Sequence, residues 1–174
     1  MTELCERAEV LAVPSSPRWK LAEDCADKLT KNFSAPPIPV LEIAEQNGVN
    51  VVFANFGENA EKVAGFCDFR GARLFVNRDD IPTRQAFTMA HELGHWIMHR
   101  EFFLQNPERY PVLPRFNNPD RSNIFEKEAN CFAACLLVPK RLLVPVQSAS
   151  VSALAQVFGV SRTMMEHRVS SVRR

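Results

Sequence analysis

Apolar positions along the 174-residue chain change period several times, and each change predicts an element. Trp19, Ala22, Cys25, Ala26, Leu29 and Phe33 recur at three- and four-residue steps among charged residues, which predicts a helix over 17–33. The run Ala35-Pro36-Pro37-Ile38-Pro39 ends it as a stiff connector, and residues 40–47 predict a short second helix closed by Gly48. Residues 49–53, 64–69 and 73–77 are short runs rich in β-branched and aromatic side chains, which predict three strands, the last two joined by a turn at Arg70-Gly71. Helical spacing returns with Phe87, Ala90, Leu93, Gly94, Ile97 and Met98. Pro82, with Asp79 and Asp80 upstream, marks the start of that helix, and Thr83 is its expected cap. Phe125, Ala129, Phe132, Ala133, Leu136 and Leu137 predict a further helix stopped by Pro139. Residues 100–124 lie between these two helices, are rich in proline and asparagine, and are expected to be irregular, forming a cleft wall or lid. The pattern as a whole predicts an α+β domain over 1–147, with a small sheet beside the 84–98 helix and a helical element over 148–174 packed on it.

Chemistry concentrates in His91-Glu92-Leu93-Gly94-His95. A helix turns about 100° and rises about 1.5 Å per residue, so His91 and His95 point the same way, roughly 6 Å apart. Both can reach one zinc ion, which takes histidine nitrogens at about 2.0–2.1 Å. Glu92 projects from the neighbouring edge, where a carboxylate can touch a metal-bound water without ligating the metal, and it is the candidate general base. Gly94 costs about 1 kcal/mol in a helix relative to alanine. The expected return is room for a strand or substrate to pass close.

A catalytic zinc needs a third protein ligand and an open position. His99 lies one turn beyond His95, too far along the axis to join a site centred between the first two. The three-histidine metzincin pattern needs glycine at 98 and histidine at 101, where this chain has Met98 and Glu101. His167 is isolated near the C-terminus and reads as a surface or packing residue. The 125–138 helix offers Glu126 and Glu128, rotated roughly 200° from each other. Glu126 is favoured, because Asn130 four residues on shares its face and can hold a ligating histidine by its free ring nitrogen. Glu128 then faces solvent or pairs with a basic neighbour. An oxyanion would need a further donor, and His99, Arg109, Tyr110 and Arg121 are the available types.

The string from Arg84 to His95, followed by Glu126 to Pro139, resembles the ImmA/IrrE family of zinc metallo-endopeptidases. The resemblance extends over roughly residues 35–170 and is sharpest over the two helices. It implies a minimal zincin-like fold with Zn2+ held in gluzincin fashion by His91, His95 and Glu126, with Glu92 catalytic and Asn130 in support. Related peptidases often carry aspartate at that supporting position, so Asn130 is the weaker orienter. The resemblance also implies a protein substrate, a helix-turn-helix transcriptional repressor or antitoxin-like regulator encoded nearby.

A formal net charge of +1 gives no polyelectrolyte signal, so nucleic-acid binding would rest on a local patch. Leu154 to Ser161, followed by Met164, Met165 and Val169, resembles a helix-turn-helix with Gly159 at its turn, and Arg162, His167, Arg168, Arg173 and Arg174 add positive charge. Packing under the catalytic domain is the favoured reading of this pair, and nucleic-acid binding is expected to be weak or absent. No membrane-length apolar run or signal sequence is present, so a cytoplasmic location is expected. Five cysteines at 5, 25, 67, 131 and 135 do not form a disulfide framework. Cys131 and Cys135 lie one helical turn apart among apolar neighbours and are expected to be buried thiols. Two function classes follow: a zinc endopeptidase, and a non-catalytic protein- or DNA-binding regulator on the same fold. The intact His91, Glu92, His95 and Glu126 favour the endopeptidase.

Overall fold

The computed structural model describes residues 13–107, the backbone of 113–116, and residues 123–173. Strands β1 (Asn50–Ala54), β2 (Val63–Asp68) and β3 (Arg73–Asn77) form on the three predicted runs, within a residue of the expected bounds. They join a fourth, β4 (Leu113–Phe116), in the order β1-β3-β2-β4. β1 runs parallel to β3 with Val51 opposite Leu74, whereas β2 is antiparallel to both β3 and β4. β4 corrects the expectation of an irregular segment. Four residues containing Pro114 give no alternation to read, and proline is tolerated on an edge strand because its missing N–H need not join the ladder.

Helices α1 (Trp19–Thr30) and α2 (Val40–Gln46) precede the sheet. α1 ends before the apolar pattern does, and the Arg141 guanidinium donates to the carbonyls of Thr30 and Phe33 at that end. After β3 comes α3 (Pro82–Met98), followed by the short α4 (Arg100–Gln105) inside the segment expected to be irregular. α3 starts with Pro82 in its first turn and Ile81 as an extended N-cap. Thr83 therefore lies within the first turn and does not cap it. Next come α5 (Ile124–Leu137) and α6 (Lys140–Leu143).

Two missing side chains set how closely α3 packs. A Cβ on Gly65 of β2 would come within 2.6 Å of Thr88 Cγ2, so β2 lies directly against α3. A Cβ on Gly94 would come within 2.9 Å of Phe132 Cδ1 and 3.3 Å of the Ala129 Cα. The close neighbour at Gly94 is therefore α5, not the strand or substrate expected from sequence.

The chain ends in α7 (Val151–Phe158) and α8 (Arg162–Val172), joined through left-handed Gly159. Ser150 Oγ accepts from the Ala153 N–H and Ser161 Oγ from the Met164 N–H, each capping its helix. Leu154, Phe158, Met165 and Val169 enter the same apolar core as Leu93, Phe132 and Leu136. The positive surface expected here is thinner than the sequence suggests. Arg168 is buried and donates to the Val138 carbonyl, Arg162 pairs with Glu166, and Arg173 donates to the Gln147 carbonyl. Arg174 lies outside the described residues. Among the described residues no single helix is long and apolar enough to cross a membrane.

Candidate metal centre

α3 places His91 and His95 on one face, and α5 crosses it in the opposite direction, so that His91 meets Asn130 while His95 meets Glu126. The two Nε2 atoms are 3.1 Å apart. Glu126 spans them, with Oε2 3.2 Å from His91 Nε2 and Oε1 3.1 Å from His95 Nε2. A tetrahedral zinc site with bonds of about 2.0–2.1 Å has ligand–ligand edges of about 3.3–3.4 Å, close to these separations. Two imidazoles and one carboxylate are also a donor set suited to a divalent transition metal. Among the described residues, this is the group of His, Cys, Asp or Glu side chains close enough to hold an ion. Both histidines are buried and Glu126 is partly exposed, so the cluster opens on the carboxylate side.

The first turn of α5 is fixed by a cap that the sequence reading missed. Asn123 Oδ1 accepts from the N–H groups of Phe125 and Glu126, which sets the backbone from which Glu126 projects. Burial pushes the Glu126 carboxyl up, but the two imidazoles beside it outweigh that and hold the group well below the usual carboxylate range.

Each histidine is held from behind. Asn130 Oδ1 lies 2.9 Å from His91 Nδ1. An amide oxygen only accepts, so Nδ1 carries the hydrogen and Nε2 faces the cluster. Behind His95 stands His99, Nδ1 to Nδ1 at 2.9 Å, and beyond it Glu128, whose Oε2 is 2.9 Å from His99 Nε2. Glu128 in turn accepts from Arg18 through its backbone N–H at 2.7 Å, Nε at 3.0 Å and Nη2 at 2.8 Å. His99 and Glu128 are buried, and the rings of Phe103 and Phe125 pack against His99. Burial drives the His99 pKa down to about 4 against the opposing pull of Glu128, so the ring is neutral at neutral pH. Burial raises Glu128, but hydrogen bonds from His99 and Arg18 prevail and lower it to about 2.

These positions revise two expectations. His99 is not an oxyanion donor at the open side, because it sits behind His95 with both ring nitrogens engaged. Glu128 does lie on the opposite side of α5 from Glu126, but that side is packed rather than solvated. Its basic partner, Arg18, is 110 positions away, beyond the reach of any local pattern.

Glu92 is buried on α3 close to Cys67 of β2, whose thiol pKa is raised well above the usual value by burial and then by the Glu92 charge. His167 is exposed. Cys131 and Cys135 share a thiol hydrogen bond, with Cys135 buried and Cys131 partly so, and neither joins the cluster. The described cysteines are free thiols. A cavity of about 540 Å³ opens beside Asn130, lined by Phe87, Cys131, Ala134 and Met164 among others. Arg109, Tyr110 and Arg121 lie outside the described residues.

No curated protein matches the chain. Among solved structures, a Mycobacterium tuberculosis transcriptional regulator superposes with a TM-score of 0.59 at 18% identity, over 86% of this chain and 46% of that one. At that identity the likeness is one of fold, and this chain spans about half the length of that regulator. The IrrE N-terminal-like domain of peptidase family M78 matches residues 44–170, which include the α3 histidines, Glu126 and Asn130. The chain therefore belongs to the IrrE N-terminal-like family, as the resemblance of its two helices implied.

Proposed function

We propose that this protein is a zinc-dependent endopeptidase that cleaves a partner protein, a helix-turn-helix repressor or antitoxin-like regulator encoded nearby. The observation that carries this reading is the convergence of His91, His95 and Glu126 with a buried carboxylate, Glu92, next in sequence to the first ligand. When bound, zinc supplies Lewis acidity that acidifies a water and polarises a carbonyl. Glu92 accepts the proton of the attacking water and delivers it to the nitrogen of the departing amine. Asn130 and His99 keep the two imidazoles turned with Nε2 toward the cluster. With both nitrogens of His99 engaged, Tyr110, Arg109 and Arg121 remain as candidates to donate to the oxyanion.

In this reading residues 1–147 are a zincin-like peptidase unit, and 148–174 a helix-turn-helix-like pair packed on it. The burial of Arg168 supports weak nucleic-acid binding at most, because a phosphate contact needs an exposed cation. The protein acts in the cytoplasm, where a repressor resides. The test is to incubate the purified protein and zinc with the regulator encoded beside it. Cleavage by the wild type and none by Glu92→Gln, at equal zinc content, is the expected result. Cleavage by Glu92→Gln at the wild-type rate removes Glu92 as base, and a wild type that binds the regulator without ever cutting it favours the regulator class.

A further inference from the structure

We infer that Arg18, Glu128 and His99 form a buried positioning relay that presents His95 to the metal with its Nε2 lone pair free, so that the entry to α1 belongs functionally to the metal centre. The inference rests on reading His91, His95 and Glu126 as a divalent-metal site. Its starting point is hydrogen-bond order.

Four groups converge on Glu128: the backbone N–H, Nε and Nη2 of Arg18, and Nε2 of His99. Arginine offers donors only, and an ionised carboxylate accepts only. The fourth contact must therefore be a donor as well, so His99 carries its hydrogen on Nε2. Its Nδ1 is then a bare acceptor 2.9 Å from His95 Nδ1, which must supply the hydrogen between them. With its hydrogen on Nδ1, the His95 ring has Nε2 left for a cation, which would take the place of any proton shared there with Glu126 Oε1, 3.1 Å away. The reverse order would aim the His99 Nε2 lone pair at a carboxylate oxygen and put a hydrogen on the ligating atom of His95. Both intermediate members are buried, so water is not at hand to satisfy a different arrangement.

The relay reaches outside the matched domain. Arg18 precedes residue 44, where the family match begins, and its side chain is a quarter exposed while Glu128 is fully enclosed. The turn before α1 thus supplies a charged residue to the support of His95 on α3.

Glutamine at 128 cannot reproduce the pattern, because either placement of its NH2 group points a donor at a donor. Two measurements test the relay in the full chain. In zinc-loaded protein labelled with 15N-histidine, two-bond 1H–15N spectra at neutral pH should show His99 with hydrogen on Nε2 alone and His95 with hydrogen on Nδ1. Glu128→Gln should shift His99 toward the Nδ1–H form. Zinc affinity, measured by chelator competition, should fall about 10–100-fold in Glu128→Gln and in Arg18→Gln, the usual cost of losing an outer support. Thermal melting of the metal-free variants checks that each is folded. If Glu128→Gln is not, Arg18→Gln, at the exposed end, carries both measurements. Wild-type protein that takes up no zinc overturns the metal-site reading whatever the tautomers. Zinc-binding wild type whose folded variants match it in affinity and in His99 tautomer overturns the relay alone.

Discussion

The same imidazole side chain stands at 91 and at 95, one helical turn apart, yet the regions behind the two rings are built differently. Behind His91 is one neutral amide, Asn130, at the edge of a cavity. Behind His95 is a charged chain of three residues, closed in by aromatic rings and ending at the surface. Asn130 holds His91 through a neutral amide with open space beside it. The chain behind His95 fixes its ring through an ordered series in which each donor determines the next. Equivalent ligands in sequence are thus unequal in stiffness.

The comparison fails outright if the two histidines do not share an ion. Removing His91 or Glu126 by alanine substitution should abolish stoichiometric zinc in elemental analysis, whereas Glu128→Ala should retain a weakened site. Undiminished zinc in either ligand variant would remove that residue from the centre.

Acid should damage the charged side selectively. Position 99 binds a proton at about 6.5 when unfolded and at about 4 when folded. As pH falls through that window the unfolded chain takes up a proton that the folded one refuses. Stability present above about 6.5 is therefore lost on acidification, by on the order of 3 kcal/mol at about 1.4 kcal/mol per unit. Glu128, depressed to about 2 from 4.5, adds a further loss below pH 4.5, as protons bind the unfolded carboxylate first. Melting temperatures of metal-free protein at pH 7 and pH 5 should differ clearly, and His99→Gln should flatten the difference. An equal pH dependence in the variant would exclude His99 as its source.

Asn130→Asp gives His91 a charged support of its own, so zinc affinity should rise several-fold, while Asn130→Ala should weaken it less than Glu128→Gln does. If Asn130→Ala proves the more damaging, the two supports rank the other way. The smallest effect is expected far from both. Arg162→Ala removes an exposed ion pair with Glu166, worth about 0.3–0.5 kcal/mol, and should leave zinc content unchanged.

The parts of this arrangement legible in sequence were those written in local spacing. The interval from His91 to His95, the four-residue step from Glu126 to Asn130, and the β-branched and aromatic runs of β1, β2 and β3 are each local to one element. The family match spans both helices, and His91, His95 and Glu126 lie close enough together to hold an ion. What escaped depends on contacts between distant segments. Glu128 could be placed on the far side of α5, but not buried there, because Arg18 contributes nothing to the local pattern. His99 was judged by its distance from His91, when what matters is its contact with His95. β4 was hidden by its shortness and its proline. Gly94 was recognised as needing room, but its neighbour belongs to a helix that starts thirty positions later.

The contact at Gly94 sets the site's gauge. Two of the three ligands ride on one helix and the third on another, so the gap between backbones fixes the size of opening offered to an ion. At Gly94 that gap is closed by backbone against the Ala129 Cα and the ring of Phe132. Phe132 is itself fully buried in the core, so its ring has little room to turn aside. A single added methyl would act as a wedge, costing about 1–3 kcal/mol of overpacking and moving Glu126 away from both imidazoles. In the proposed metal centre, a gap held this way would suit a small ion with short bonds better than a larger, oxygen-seeking cation.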